Sequence, residues 1–260
     1  MFDAIRNRWR EYLIEAWCLG TFMISASAFA VLIFNCGSPF QALGPTTKNI
    51  LMGSAMGATA IAIITSPWGR RSGAHFNPAV TLAFLRLKRI DPHDALFYIL
   101  FQFIGGLAGM IMAWLLLGDL LDDAAVNFVV TVPGIYGAAG AFVAEVTASF
   151  LMMTMILVTG RAPRMAKLTP VFAGILLAMF IAVAAPISGL SMNPARTFAS
   201  AALAGNWTGW WIYFVAPVGS MFAASELFLR IEGLKNGVAV RQKCPDALRT
   251  REAKRPGAAA

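Results

Sequence analysis

Hydrophobic positions in this chain run in long unbroken blocks, with none of the amphipathic alternation of a water-soluble protein. Six blocks reach the roughly 20 residues that a bilayer crossing requires: about 12–34, 47–66, 95–117, 135–159, 168–187 and 209–229. The first is too long for a signal h-region and lacks a cleavage site, so it is expected to stay in the mature chain. Two further apolar stretches, 77–87 and 193–204, are too short to cross and read as half-length helices that enter and leave on one side. Backbone that breaks helix at membrane depth is tolerated only where protein shields it or a wet cavity receives it. The pattern therefore predicts an all-α integral membrane fold of six transmembrane helices and two re-entrant half-helices around a pore.

The short stretches are copies of each other. Ser72-Gly73-Ala74-His75-Phe76-Asn77-Pro78-Ala79-Val80-Thr81-Leu82-Ala83 returns as Ser188-Gly189-Leu190-Ser191-Met192-Asn193-Pro194-Ala195-Arg196-Thr197-Phe198-Ala199, each position 116 residues on (77 to 193, 83 to 199). Seven of the twelve positions are identical, too many for two unrelated Asn-Pro turns, so the chain is an internal duplication. Asn before Pro is a strong helix start. Each copy reads as a loop running into a helix whose free N–H groups and positive dipole end face a shared midplane. Three spans separate the copies, so the second is inverted. The halves are about 12–117 and 135–230, flanked by a short basic arm at 1–11 and a basic tail at 231–260, expected to be disordered.

A net charge of +8 raises nucleic acid as a partner, but its distribution argues against one. Basic residues gather before the first span, in 70–89, in 161–167 and from Arg230 onward; only Lys48 and Arg196 fall in the alternate connections. The positive-inside rule then places both termini in the cytoplasm of a multi-pass protein, with an inner (plasma) membrane as the expected location. At 58% hydrophobic residues and a mean hydropathy of +0.67, the natural partner is the lipid bilayer. Cys18, Cys36 and Cys244 have no metal-ligand spacing, and two histidines with no nucleophile–base pair give no catalytic constellation. No metal, cofactor or enzymatic activity is expected.

The doubled motif, His75-Phe76-Asn77-Pro78-Ala79-Val80-Thr81 and Met192-Asn193-Pro194-Ala195-Arg196, resembles the signature of the aquaporin, or major intrinsic protein, family. Gln102, Glu145 and Pro186 match as well, and the likeness covers about residues 12–230. Glu15 resembles the family's first-span glutamate but sits about two residues further from Gly20-Thr21-Phe22. The resemblance implies a homotetramer with one pore per subunit. Asn77 and Asn193, with Pro78, Ala79, Pro194 and Ala195 behind them, would present side-chain donors to a passing oxygen. Glu15, Glu145 and His75 would support the loops.

The resemblance also implies an outer selectivity filter of Leu190, Arg196, Ile181 and, on the second span, Met56 or Gly57. Met56 is favoured by the match of Ala55-Met56-Gly57 to a small-large-Gly pattern. A strict water channel of this family usually carries His and a bulky aromatic where Ile181 and Met56 stand. Such an apolar wall facing one arginine suits a neutral solute with CH groups on one side and OH groups on the other. Thr197, where glycerol channels of the family commonly have Asp, pulls the other way, as do Ala201 and Tyr213-Phe214. The expected function is passive passage of water and small neutral, glycerol-like solutes, with exclusion of ions and protons. The alternatives are strict water selectivity and a secondary transporter using Glu15 or Glu145 for coupling.

Overall fold

The computed structural model describes the backbone of residues 2–243 and the side chains of residues 8–233. Every long element is helical. In chain order these are α1 (Phe2–Phe34), α2 (Pro45–Thr65), α3 (Pro67–Ser72), α4 (Pro78–Arg86), α5 (Pro92–Leu117), α6 (Gly137–Arg161), α7 (Thr169–Ser188), α8 (Pro194–Ala204) and α9 (Ile212–Lys243). Six of them, α1, α2, α5, α6, α7 and α9, are long and apolar enough to cross a membrane. The chain divides into a unit reaching Ser225, which holds the candidate site, and a second beginning at Glu226.

The helix boundaries follow local chemistry. Proline stands at or next to the first position of α2, α3, α4, α5, α7 and α8, where its missing N–H costs nothing. Glycines in left-handed conformation stop α7 at Gly189 (φ 71°) and α8 at Gly205 (φ 64°). With 9 and 11 residues, α4 and α8 are about 14 and 17 Å long at 1.5 Å per residue, roughly half a bilayer each.

Three boundaries differ from the sequence reading. Residues expected as a separate arm before residue 12 continue α1 back to Phe2. Tyr12 and Arg8 tie this stretch to the start of α5: the Tyr12 hydroxyl donates to Asp94 Oδ1 at 2.7 Å and Arg8 pairs with Asp94 Oδ2 at 2.8 Å. Pro67-Trp68-Gly69, read as a terminator, instead opens α3, because Ser66 caps the new helix by accepting from the Gly69 N–H at 2.9 Å. In the second unit α9 continues to Lys243, past residue 231 where the unstructured tail was expected, with an i,i+4 pair of Glu226 and Arg230 at 3.6 Å. The rest of that tail, from Cys244, lies outside the described residues.

Small residues let the long helices close together. A Cβ on Gly105 or Gly109 of α5 would collide with the α1 backbone at Ala16 and Gly20. A Cβ on Gly57 of α2 would collide with the carbonyl of Gly174 on α7, which joins the two halves. In lipid, such close approach replaces the hydrophobic drive that water supplies to soluble bundles. The packing thus sets the frame into which α4 and α8 point.

Candidate functional site

The two short helices meet by their N-termini, and the caps hold them there. Asn77 Oδ1 accepts from the Ala79 N–H at 2.9 Å, and Asn193 Oδ1 accepts from the N–H groups of Ala195 and Arg196 at 3.1 and 3.3 Å. With each oxygen occupied locally, the amide nitrogens point away from their own helices. Asn77 Nδ2 donates to the Met192 carbonyl at 2.7 Å, and Asn193 Nδ2 donates to the Phe76 carbonyl at 2.8 Å. An NH2 group carries two hydrogens, so each asparagine keeps one donor beyond this exchange. Both asparagines line the inner of two cavities that run through this region.

The loops before the asparagines are strained, and a carboxylate compensates each. Ala74 and Phe76 have φ of 45° and 29°, and their repeats Leu190 and Met192 have 44° and 53°. Non-glycine residues in that region cost on the order of 1–3 kcal/mol each. Glu15, fully buried, accepts from Ser72 Oγ (2.8 Å), His75 N (3.0 Å), Phe76 N (2.6 Å) and Gln102 Nε2 (2.8 Å). Glu145, equally buried, accepts from Ser188 Oγ (3.0 Å), Ser191 N (2.8 Å) and Met192 N (2.7 Å). The loop partners correspond one for one across the 116-residue offset, so Glu15 occupies the place of Glu145 despite its displacement along α1.

The halves then diverge. His75 places Nδ1 3.1 Å from Thr81 Oγ1, stacks on Phe84 at 4.8 Å and meets Tyr98 edge-on at 5.3 Å. Its counterpart Ser191 bonds Thr197 Oγ1 at 2.6 Å instead. Gln102 reaches Thr81 in the first half, whereas Thr131 from the α5–α6 loop reaches Thr197 in the second, at 2.8 Å.

The outer cavity, about 240 Å³, is lined by Met56, Ile181, Leu190 and Arg196 together. Gly57 faces α7 instead, so of the two α2 alternatives Met56 is the one beside Arg196. Among the described residues Arg196 is the one charged side chain lining the cavity, and its Nη1 is buried without a hydrogen-bond partner among them. The inner cavity, about 120 Å³, contains His75, Asn77 and Asn193. Phe22, Leu177 and Ser191 line both cavities, so the two adjoin at those side chains.

Three participants, Tyr98, Phe22 and Asn49, escaped the sequence reading, and a fourth, Tyr213, entered it only as part of a water-channel pattern and not as a support of the loop. The hydroxyls of Tyr98 and Tyr213 donate to the carbonyls of Ser72 and Ser188, each at 2.7 Å, buttressing the start of each loop. They stand 115 residues apart (98 to 213), one position out of the repeat register, so comparing the copies does not pair them. Phe22 and Asn49 sit on long apolar helices with no local motif to mark them.

Membrane-length helices packed around two half-length helices that meet tip to tip, with one cavity at the meeting point and a second adjoining it, define an inverted-repeat membrane channel. The chain belongs to the major intrinsic protein family, whose model matches residues 4–226. It is 35% identical over 219 residues to glycerol uptake facilitator protein-like 6 of Lactiplantibacillus plantarum, covering 83% of this chain and 95% of that one. It is 31% identical over 218 residues to aquaporin Z of Rhodopseudomonas palustris, covering 80% and 87%. The aquaglyceroporin structure from Plasmodium falciparum superposes with a TM-score of 0.71 at 16% identity, over 85% of this chain and 96% of that one, a likeness of fold.

Proposed function

We propose that this channel conducts water and small uncharged solutes of the glycerol type down their gradients and is closed to ions and protons. The observation that carries the reading is the composition of the outer cavity, where Met56, Ile181 and Leu190 stand around the single charge of Arg196. A cation meets that charge and is repelled. An anion finds one unpartnered guanidinium nitrogen but little else to replace its water, so desolvation keeps it out. A polyol needs fewer replacements, because its CH groups rest on the apolar wall. Past this point the free donor of each asparagine holds a passing oxygen, and the opposed dipoles of α4 and α8 break a continuous proton wire. The likeness to a protein named as a glycerol uptake facilitator supports the same solute class.

In this reading the assembly is a homotetramer with one conduit per chain. The gathering of basic residues on alternate connections supports a plasma-membrane orientation with both termini on the cytoplasmic side. A narrower reading, passage of water alone, is favoured by Thr197, whose hydroxyl is held by Thr131 and Ser191 and is not turned to a solute.

Light scattering from proteoliposomes after an outward osmotic step separates these. An impermeant osmolyte gives fast shrinkage if water passes. Glycerol then gives protein-dependent re-swelling if the polyol reading holds, and none if the channel is strict. Absence of a fast phase in both overturns the conduit itself.

A further inference from the structure

The outer cavity continues above the level of Arg196, and its wall there is one face of α2. Asn49, Met52 and Met56 lie three and seven residues apart, the spacing of a single helical stripe, and all three line the cavity. Ala125, Val126, Val129 and Val130 of the α5–α6 loop line the same cavity. Among the side chains lining this space only Asn49, Ser191 and Arg196 are polar. Ser191 is already engaged by Thr197 and by the Asn193 N–H, to which it is an acceptor at 3.3 Å. Asn49 is half-buried and its amide has no hydrogen-bond partner among the described residues. Neither polar atom of that amide is among the buried, unpartnered ones, so the group is open to the cavity and can exchange its water for a solute hydroxyl.

We infer that Asn49 forms an outer docking subsite for the hydroxyl groups of a small polyol, one step ahead of Arg196. This rests on the polyol reading above and adds a residue to it. The carboxamide offers two donors and an acceptor, the complement of a hydroxyl, which is both. A glycerol-sized solute arriving from the mouth exchanges part of its hydration for Asn49 while its CH edge lies along Met52 and Met56. It then passes its polar edge to Arg196, about two helical turns deeper along α2 by the spacing of Asn49 and Met56. Water needs no such stage, since it loses fewer partners at once and has no CH edge to orient. Asn49 is therefore a specificity residue for the larger solute.

The test compares the wild type with Asn49→Leu, Asn49→Ala and Asn49→Gln in proteoliposomes, reading glycerol re-swelling and water shrinkage on the same preparations. Losing one neutral hydrogen bond predicts a roughly threefold to tenfold fall in glycerol permeability for Leu and Ala. Water permeability, which also reports correct folding, stays within about twofold, and Gln restores most of the glycerol flux. Glycerol and water falling in proportion, or glycerol unchanged in both truncations, overturns the subsite while leaving the channel reading intact. A wild type that shrinks fast against an impermeant osmolyte but never re-swells in glycerol overturns the polyol reading and the subsite together.

Discussion

The amide nitrogen of Asn77 donates to the carbonyl of Met192, the residue before Asn193, and Asn193 donates in turn to the carbonyl of Phe76, the residue before Asn77. Neither loop is complete without the other. Replacing Asn193 with Ala leaves the half-buried Phe76 carbonyl without its partner and removes the α8 cap, and loss of such a cap alone costs about 0.5–2 kcal/mol. The expected result is a lowered thermal midpoint in detergent and a loss of water flux larger than the loss of folded protein. Equal losses in both would mean the asparagine is structural only.

Glu15 and Glu145 accept only, and each faces nothing but donors. A glutamine at either position turns one oxygen into an NH2 aimed at those donors. Glu145→Gln is expected to cost at least one bond, that from the Met192 N–H to Oε2, on the order of 1–3 kcal/mol, and to loosen the left-handed backbone at Leu190 and Met192. Hydrogen exchange at Ser191 and Met192, compared with Asn77 as an internal reference, measures that loosening. Protection unchanged at both would refute the role given to the carboxylate.

Ile181→His adds a hydrogen-bonding group to the outer cavity and removes apolar wall. Glycerol permeability is expected to fall relative to water, by about tenfold for a lost hydrophobic contact worth roughly 1–1.5 kcal/mol. A glycerol-to-water ratio that does not move would take Ile181 out of the filter.

Asp123 lies in the α5–α6 loop, outside the spans. Its carboxylate accepts from the Ala125 N–H at 2.8 Å and from Asn35 Nδ2 at 3.1 Å, tying that loop to the end of α1. The Ala125 N–H, and after it the contact with Cys36, hold the carboxyl below its ordinary value. A depressed folded-state pKa contributes stability that is fully present above the unfolded value, near pH 4, and is lost as pH falls through the lower one. Amide exchange across residues 118–134 is therefore expected to accelerate only below about pH 4. Asp123→Asn should abolish that step, and an acid step that survives the substitution belongs to another group.

Much of this was legible because two codes are stark in a membrane protein. Block length alone separates α4 and α8 from the six long helices, and the repeated Asn-Pro-Ala fixes where the halves meet. Glu145 and Gln102 were legible as charged or amide groups in blocks that otherwise exclude them. The helical extents of α1 and α9 were not, because basic and polar residues such as Arg6 or Lys235 carry no signal that distinguishes helix beyond the membrane from loose chain. Phe22 was hidden for the opposite reason: one aromatic among many apolar neighbours has no pattern until the helix is rotated into place. The choice of Met56 over Gly57 needed the packing of α2 on α7, a contact between halves that no local window contains.

The exchange between the two asparagine loops has the form of a two-fold contact: each partner presents the same donor and the same acceptor. Such an isologous contact is what a pair of identical chains makes, and between identical chains every substitution at one loop would be forced on the other. Two copies within one chain carry no such constraint. His75 and Ser191, Gln102 and Thr131, and Ala74 and Leu190 differ, so the two ends of the conduit carry different chemistry on one shared framework.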